Sequence, residues 1–320
     1  MNPTTFLRRI AYFLLAYSAL AFAAGVFVAE ATLHPGRRPL AGSDQDLGRK
    51  LARQNDSDFT LVDISAGDGI PLQAWNLRPR TRSGQVVMLL HGLSDNRLGV
   101  ISYAQVFLKH GYDVLMPDAR AHGASGGDLA TYGLRESGDI RLWLDWLESN
   151  EHPSCVYGFA ESMGAAGLLQ ALQSETRFCA VVAESPFSNF REIAYDRVGQ
   201  FFHAGPWLGR TILRPVVEVA FIYSRWKYGL DFEQVSPEGT VASTGVPVLL
   251  IHGQADGNIP VRHSRKIAAG NRAVVLWEVP GADHCGAQGA EPEEFERKVI
   301  AWFEQNNRKS ANTGTSSSEL

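Results

Sequence analysis

In the stretch Ala160-Glu161-Ser162-Met163-Gly164 a serine stands between small residues two positions before it and two after. The apolar run CVYGFA precedes it and a helical pattern follows, so the chain must turn sharply from strand to helix at Ser162. Such a turn thrusts the hydroxyl clear of the sheet, and small neighbours keep the adjacent backbone from colliding. A serine hydroxyl is a weak nucleophile. It needs an adjacent base, and the base needs a third group to hold its ring. The chemistry on offer is acyl transfer through a covalent serine intermediate.

Where that chemistry is carried on a strand–turn–helix serine, the acid and then the histidine follow in chain order. Asp256 stands in HGQADGNIP, just after the apolar run VPVLLIHG, and His284 stands in PGADHC, just after AVVLWEVP. Both therefore fall at C-terminal strand ends, the edge on which Ser162 emerges. The other histidines among the nine fit less well. His91 and His252 each precede a glycine at a strand end, His122 lies in a Gly-rich loop, and His263 falls on a predicted helix. Asp283 competes for the acid role, but as the immediate neighbour of His284 it is badly aimed at the ring. A tetrahedral intermediate also needs two N–H donors, each worth about 3–4 kcal/mol in such sites. Met163, first after the nucleophile, supplies one. Leu93, in the loop HGLSDN after the third strand, supplies the other. The predicted site is Ser162, Asp256 and His284 with the backbone of Leu93 and Met163, and neither metal nor cofactor enters it.

Asp118, Arg120, Glu136 and Asp139 invite a metal or paired-carboxylate reading. Asp118, however, ends a strand before a tight loop, and Glu136 and Asp139 open a helix, where acids suit the dipole. Cys155, Cys179 and Cys285 are too few for a disulfide scaffold and lack C-x-x-C spacing. Cys155 and Cys179 should lie side by side on neighbouring strands, where buried free thiols are expected ahead of a bridge. With 20% charged residues and a net charge of −4, nothing points to nucleic acid.

These residues must be positioned by an α/β arrangement. DFTLVDIS and IPLQAWNL alternate apolar and polar residues around the turn AGDG, a hairpin of half-buried strands. Then QVVMLLHG, YDVLMPD, CVYGFA, FCAVVAES, VPVLLIHG and AVVLWEVP are short apolar runs, separated by helical patterns at 100–111 (VISYAQVFLKHG) and about 135–149, 163–175 and 261–270 and followed by one at 292–305. Apolar runs alternating with helices mean parallel strands covered on both faces. The prediction is an eight-stranded, mostly parallel sheet with helices on both faces over 58–305. The stretch 187–243 is too long for one crossover and is rich in aromatics, among them Trp207, Phe221 and Trp226. It is expected to be a small helical cap over the nucleophile, with those rings forming an apolar wall. Residues 34–57 read as a linker or short helix, with ordered structure from about Asp58, and 306–320 as a disordered tail.

Ile10 to Ala29 is a run of 20 uncharged residues after Arg8 and Arg9. At ~1.5 Å per residue it matches the ~30 Å hydrocarbon core. It exceeds the usual apolar region of a cleaved signal, although Ala29-Glu30-Ala31 offers a cleavage site. Residues 1–33 are therefore predicted to be a retained signal anchor. Arg8 and Arg9 stand directly before the run, favouring the N-terminus inside and the rest outside.

The segments GDGIPLQAW, LLHGLSDNR, GYDVLMPDARAHGASGG, YGFAESMGAAGLL, AESPFSNFREIAYDR, IHGQADGNIP and PGADHC together resemble the α/β-hydrolase superfamily from about residue 58 to 305, in particular its Bem46-like and S33-type bacterial members. The resemblance implies the fold, the site Ser162, Asp256 and His284, and no cofactor. Ala121 stands where relatives usually carry Gly. Superfamily members act on esters, thioesters and peptides. A small-molecule acyl ester is the leading substrate. Thioester hydrolysis, acyl transfer and peptide cleavage remain alternatives, and a non-catalytic binding protein at the membrane is a further one.

Overall fold

A computed structural model describes residues 3–307. Their contacts divide them into two compact units: one holds the N-terminal residues to His34 with Asn189–Val235, the other begins at Pro35 and holds the rest.

The larger unit starts with α2 (Gly42–Gln54) and carries the eight strands β1 (Ser57–Ser65), β2 (Pro71–Pro79), β3 (Gln85–Leu90), β4 (Asp113–Pro117), β5 (Cys155–Glu161), β6 (Phe178–Glu184), β7 (Val248–Gly253) and β8 (Val275–Val279). They form one sheet in the order β1-β2-β4-β3-β5-β6-β7-β8. Only β2 runs against its neighbours; β4 to β8 are parallel. The parallel strands are buried along nearly their whole length except for β8 at the edge, because helices cover both faces. One face packs Phe107 of α3 (Ile101–Lys109) and Phe295, Val299 and Phe303 of α12 (Pro292–Gln305). The other packs Trp143 and Leu147 of α4 (Glu136–Asn150), Leu168 and Leu169 of α5 (Ser162–Ala171) and Ile267 of α10 (Arg262–Ala269). Short α9 (Pro237–Val241) and α11 (Ala287–Ala290) complete the unit.

The sheet and its flanking helices match the sequence expectation strand by strand. Ordered structure, however, begins before Asp58. Leu51 and Ala52 of α2 are buried in the core, and a Cβ at Gly48 would lie 2.8 Å from the Phe59 ring. The small residues at 48 and 52 let the helix settle onto the first hairpin, so the short helix allowed for 34–57 is docked on the core through Gly48, Leu51 and Ala52. The predicted tail lies outside the described residues from 308 onward.

Cys155 and Cys179 form a disulfide, Cα to Cα 5.9 Å, which corrects the expectation of free thiols. The strands shift register at Val156/Tyr157: Phe178 faces Val156 and Ala180 faces Tyr157, leaving Cys179 as the extra residue of its strand beside Cys155. That spacing suits a bridge.

The smaller unit comprises α1 (Pro3–Leu33), α6 (Phe190–Phe201), α7 (Trp207–Arg210), α8 (Arg214–Tyr228) and a 3-10 turn at Phe232–Gln234. Phe190 stacks on Phe232 at 4.3 Å and tilts against Phe221, while the Arg191 guanidinium caps the Phe221 ring at 4.7 Å. Of the aromatics predicted for the cap, Phe221 and Phe232 are thus its interior, whereas Trp207 and Trp226 are exposed.

Candidate active site

β5 ends on Glu161 and α5 begins on Ser162, which takes a φ of 51°. For a residue with a Cβ this left-handed backbone is strained, and it is the conformation that lifts the hydroxyl off the strand. The glycine two residues on is required by contact. A Cβ at Gly164 would come within 2.5 Å of the His91 carbonyl oxygen. Ala160, two before the serine, is fully buried, so only a small residue fits there.

Asp256 and His284 stand just past the C-terminal ends of β7 and β8. His284 Nε2 lies 2.9 Å from Ser162 Oγ, and His284 Nδ1 lies 2.8 Å from Asp256 Oδ2. The other carboxylate oxygen of Asp256 accepts the backbone N–H groups of Asn258 at 2.9 Å and Ile259 at 2.8 Å. Burial alone would raise the Asp256 pKa, but hydrogen bonds from His252 and His284 and the Ile259 amide hold it well below the usual carboxylate range. A carboxylate so held stays ionised and holds the histidine ring by one nitrogen, with the other within hydrogen-bond reach of Ser162 Oγ. Asp283 accepts the backbone N–H of His284 at 2.8 Å and that of Gly257 at 3.3 Å, so it braces the loop.

The loop after β3 is held at both ends of one residue. His91 Nε2 accepts the Ala119 N–H at 3.0 Å, which places the ring proton on Nδ1, 2.7 Å from the Gly92 carbonyl. Burial lowers the His91 pKa to about 4, keeping the ring neutral in that role. The Gly92 N–H donates to Glu161 Oε1 at 3.3 Å. Across a trans peptide the carbonyl and the next N–H point opposite ways. Holding the Gly92 carbonyl therefore fixes the direction of the Leu93 N–H. Further along, the Ser94 N–H donates to His122 Nε2 at 3.1 Å. A Cβ on Gly92 would stand 3.4 Å from Ser162 Cβ, so this loop runs directly beside the serine. Met163 is in the first turn of α5, where N–H groups lack helical acceptors.

Sequence reasoning passed over three participants. Glu161 occupies the unconstrained position before the serine. Burial first, then the neighbouring Glu184 carboxylate, push its pKa up to about 8. Glu184, fully buried at the end of β6, accepts from Tyr103 Oη at 3.0 Å and from the Ala287 N–H at 2.9 Å, tying β6 and α3 to the chain just after His284. His252 is a buried ring that bonds Ser264 Oγ and the Ile259 carbonyl, each at 2.7 Å, and lies 3.3 Å from Asp256. An acidic residue at a strand end is ordinary in sequence, and only the pairing of these two across β5 and β6 marks them.

The other predicted acids have structural partners. Asp118 forms a fully buried ion pair with Arg97 at 2.6 Å, Arg120 bridges Asp139 at 2.6 Å and Asp68 at 2.9 Å, and Glu136 accepts from Thr131 and Gly133. Ala121 has a φ of 63°, which is why a glycine suits that position.

A sequence profile of the alpha/beta hydrolase family matches residues 87–298. The uncharacterized protein YqkD of Bacillus subtilis (strain 168) is 27% identical over 214 residues, 65% of this chain and 67% of YqkD. The lysophosphatidylserine lipase ABHD12 of Macaca fascicularis is 26% identical over 205 residues, 61% of this chain and 47% of that protein, so the match spans about half of the relative. Among solved structures, the Pyrococcus furiosus esterase Pf2001 superposes with a TM-score of 0.66 at 24% identity, covering 86% of this chain and 98% of the esterase. At that identity the likeness is one of fold.

Proposed function

The chain belongs to the alpha/beta hydrolase family, and on that premise we propose that it cleaves carboxylic esters through an acyl-enzyme on Ser162. The observation that carries this reading is the unbroken chain from Ser162 Oγ through the two nitrogens of His284 to Asp256, with links of 2.9 and 2.8 Å. In this mechanism Ser162 Oγ attacks the ester carbonyl carbon while its proton passes to His284 Nε2. The oxygen of the tetrahedral intermediate is met by the N–H groups of Leu93 and Met163. Collapse breaks the bond to the alkoxy group, which leaves as the alcohol with the proton from His284. Water, deprotonated by the same nitrogen, then returns the acid and free Ser162.

Esters are placed ahead of thioesters and amides because the esterase and lipase named above are among the proteins it resembles. The test is labelling with a fluorophosphonate, the adduct mapped by mass, followed by turnover of a p-nitrophenyl acyl series beside matched thioesters and anilides. An adduct on a residue other than Ser162, or preference for anilides, rejects the reading.

α1 is proposed as a membrane anchor. It has a mean hydropathy of 2.0 over its most apolar 18-residue window. The Cys155–Cys179 bridge supports placing the catalytic unit on the extracytoplasmic side, where disulfides persist. Carbonate extraction of the full-length protein and protease protection in sealed vesicles test both statements.

A further inference from the structure

α1 and α8 run side by side in the same direction. Tyr17 of α1 donates to the Ile212 carbonyl. Further along, Gly25 lies so close to α8 that a Cβ there would meet Val219 at 2.6 Å and the Val216 carbonyl at 2.8 Å. Glu30 then accepts from Tyr223 at 2.6 Å, Lys227 at 2.7 Å and Tyr228 at 2.9 Å. The buried residues of α1 are Ala21, Gly25, Ala29 and Leu33, mostly small side chains at four-residue spacing, the packing mode helices use inside membranes.

The cap segment therefore stands beside the uncharged run of α1 and not beyond its end. Below Tyr17 the uncharged run continues only from Ala16 to Ile10, where Arg9 and Arg8 end it, about 10 Å of helix. A bilayer core needs ~30 Å. A spanning α1 must carry the cap into the lipid with it. At the height of α8, α1 still turns Leu20, Phe22 and Phe27 outward at 70%, 61% and 72% exposure, side chains that would be costly to keep in water. Ile212, the residue Tyr17 bonds, is itself more than half exposed, as are Phe201, Phe202 and Trp207 of the same unit, and α8 adds Ile222 and Trp226.

We propose that this edge of the cap is a lipid-immersed surface whose partner is the bilayer leaflet on the catalytic side. The proposal rests on α1 being a spanning anchor. The charges near the edge are compatible with it: Arg210 pairs with Glu192, and Arg191 and Arg214 share Glu218 at 2.7 and 3.1 Å, the self-pairing that lets ions sit at membrane depth. Around Glu30, Tyr223, Trp226, Lys227 and Tyr228 supply the aromatic and cationic mix that favours the headgroup level.

The test uses the full chain with Cys285→Ser, the 155–179 bridge intact, and a single nitrobenzoxadiazole label on Ile212→Cys. Phe13→Cys, on the exposed face of α1, is the lipid reference, and Glu293→Cys is the aqueous one. Each is reconstituted in phosphatidylcholine vesicles and quenched with doxyl-labelled lipid or with iodide. Fluorophosphonate labelling verifies folding, and Trp207→Cys replaces Ile212→Cys should that variant fail. The expected result is that the Ile212 probe follows Phe13, quenched several-fold more by doxyl lipid than the Glu293 probe and shielded from iodide. Lipid quenching at Phe13 with iodide quenching at Ile212 overturns the immersed cap and leaves the anchor standing. Iodide quenching at both positions overturns the anchor and the immersed cap together.

Discussion

Glu161, the residue before the nucleophile, accepts a hydrogen bond from the Gly92 backbone N–H at 3.3 Å, so the serine turn holds the loop that carries the Leu93 N–H. With a pKa raised to about 8, this carboxyl is held largely neutral at pH 7 by burial and by the neighbouring Glu184 carboxylate. The sign of the pH effect follows. Between about 4.5 and 8 the unfolded chain loses a proton that the folded chain keeps, so the group lowers stability as pH rises through that window. Glu161→Gln should keep activity near neutrality and flatten the fall in melting temperature between pH 5 and 8. It should also extend activity to higher pH. Parallel melting curves for variant and wild type would show that Glu161 is already ionised.

Ser162→Ala and Ser162→Gly should both abolish ester turnover and fluorophosphonate labelling. They should differ in stability, because φ of 51° suits glycine and strains alanine. Denaturant unfolding is expected to find the glycine variant more stable by about 1 kcal/mol. Retained labelling in either variant would point to another serine.

Asp256→Asn should lower kcat on the order of 10⁴-fold, since an amide facing Nδ1 favours the wrong ring tautomer. Asp283→Asn should change it only a few-fold, because Asp283 serves backbone N–H groups and not the ring. Comparing kcat for the two variants decides which carboxylate orients His284.

Alkylation of non-reduced, denatured protein should modify Cys285 and leave Cys155 and Cys179 blocked. Replacing both by serine opens a loop with a sequence separation of 24 and should cost about 3 kcal/mol in urea unfolding. Alkylation at all three cysteines would return the pair to free thiols.

Gly25→Leu should prise α1 from α8, because even a Cβ there meets Val219 at 2.6 Å. Overpacking of this kind costs about 1–3 kcal/mol, read as faster proteolysis within 214–228 in detergent. Unchanged proteolysis would mean that the helices do not pack as described.

By itself, the sequence determined the sheet and the residues brought to its edge. Ser162, Asp256 and His284 each follow an apolar run that only a buried parallel strand explains, and small residues beside them mark where the backbone must turn. Those signals are local, set by the two-residue period of strands and the steric limits of turns. The tertiary structure decided what lies across from what. Gly92 is 69 residues from Glu161, and nothing in either stretch announces that an ordinary glutamate bonds it with a carboxyl pushed up to a pKa of about 8. His252 reads as a strand-end histidine until folding sets it 3.3 Å from Asp256. Strand order predicted that Cys155 and Cys179 would be neighbours, but not the one-residue shift in register beside which they join. The apolar run of α1 was plain from hydropathy, whereas its small-residue stripe met its partner only in α8, almost two hundred residues away. Periodicity records which face a residue turns to the interior. It carries no information about which distant face will meet it there, because that choice is made by packing the whole chain at once.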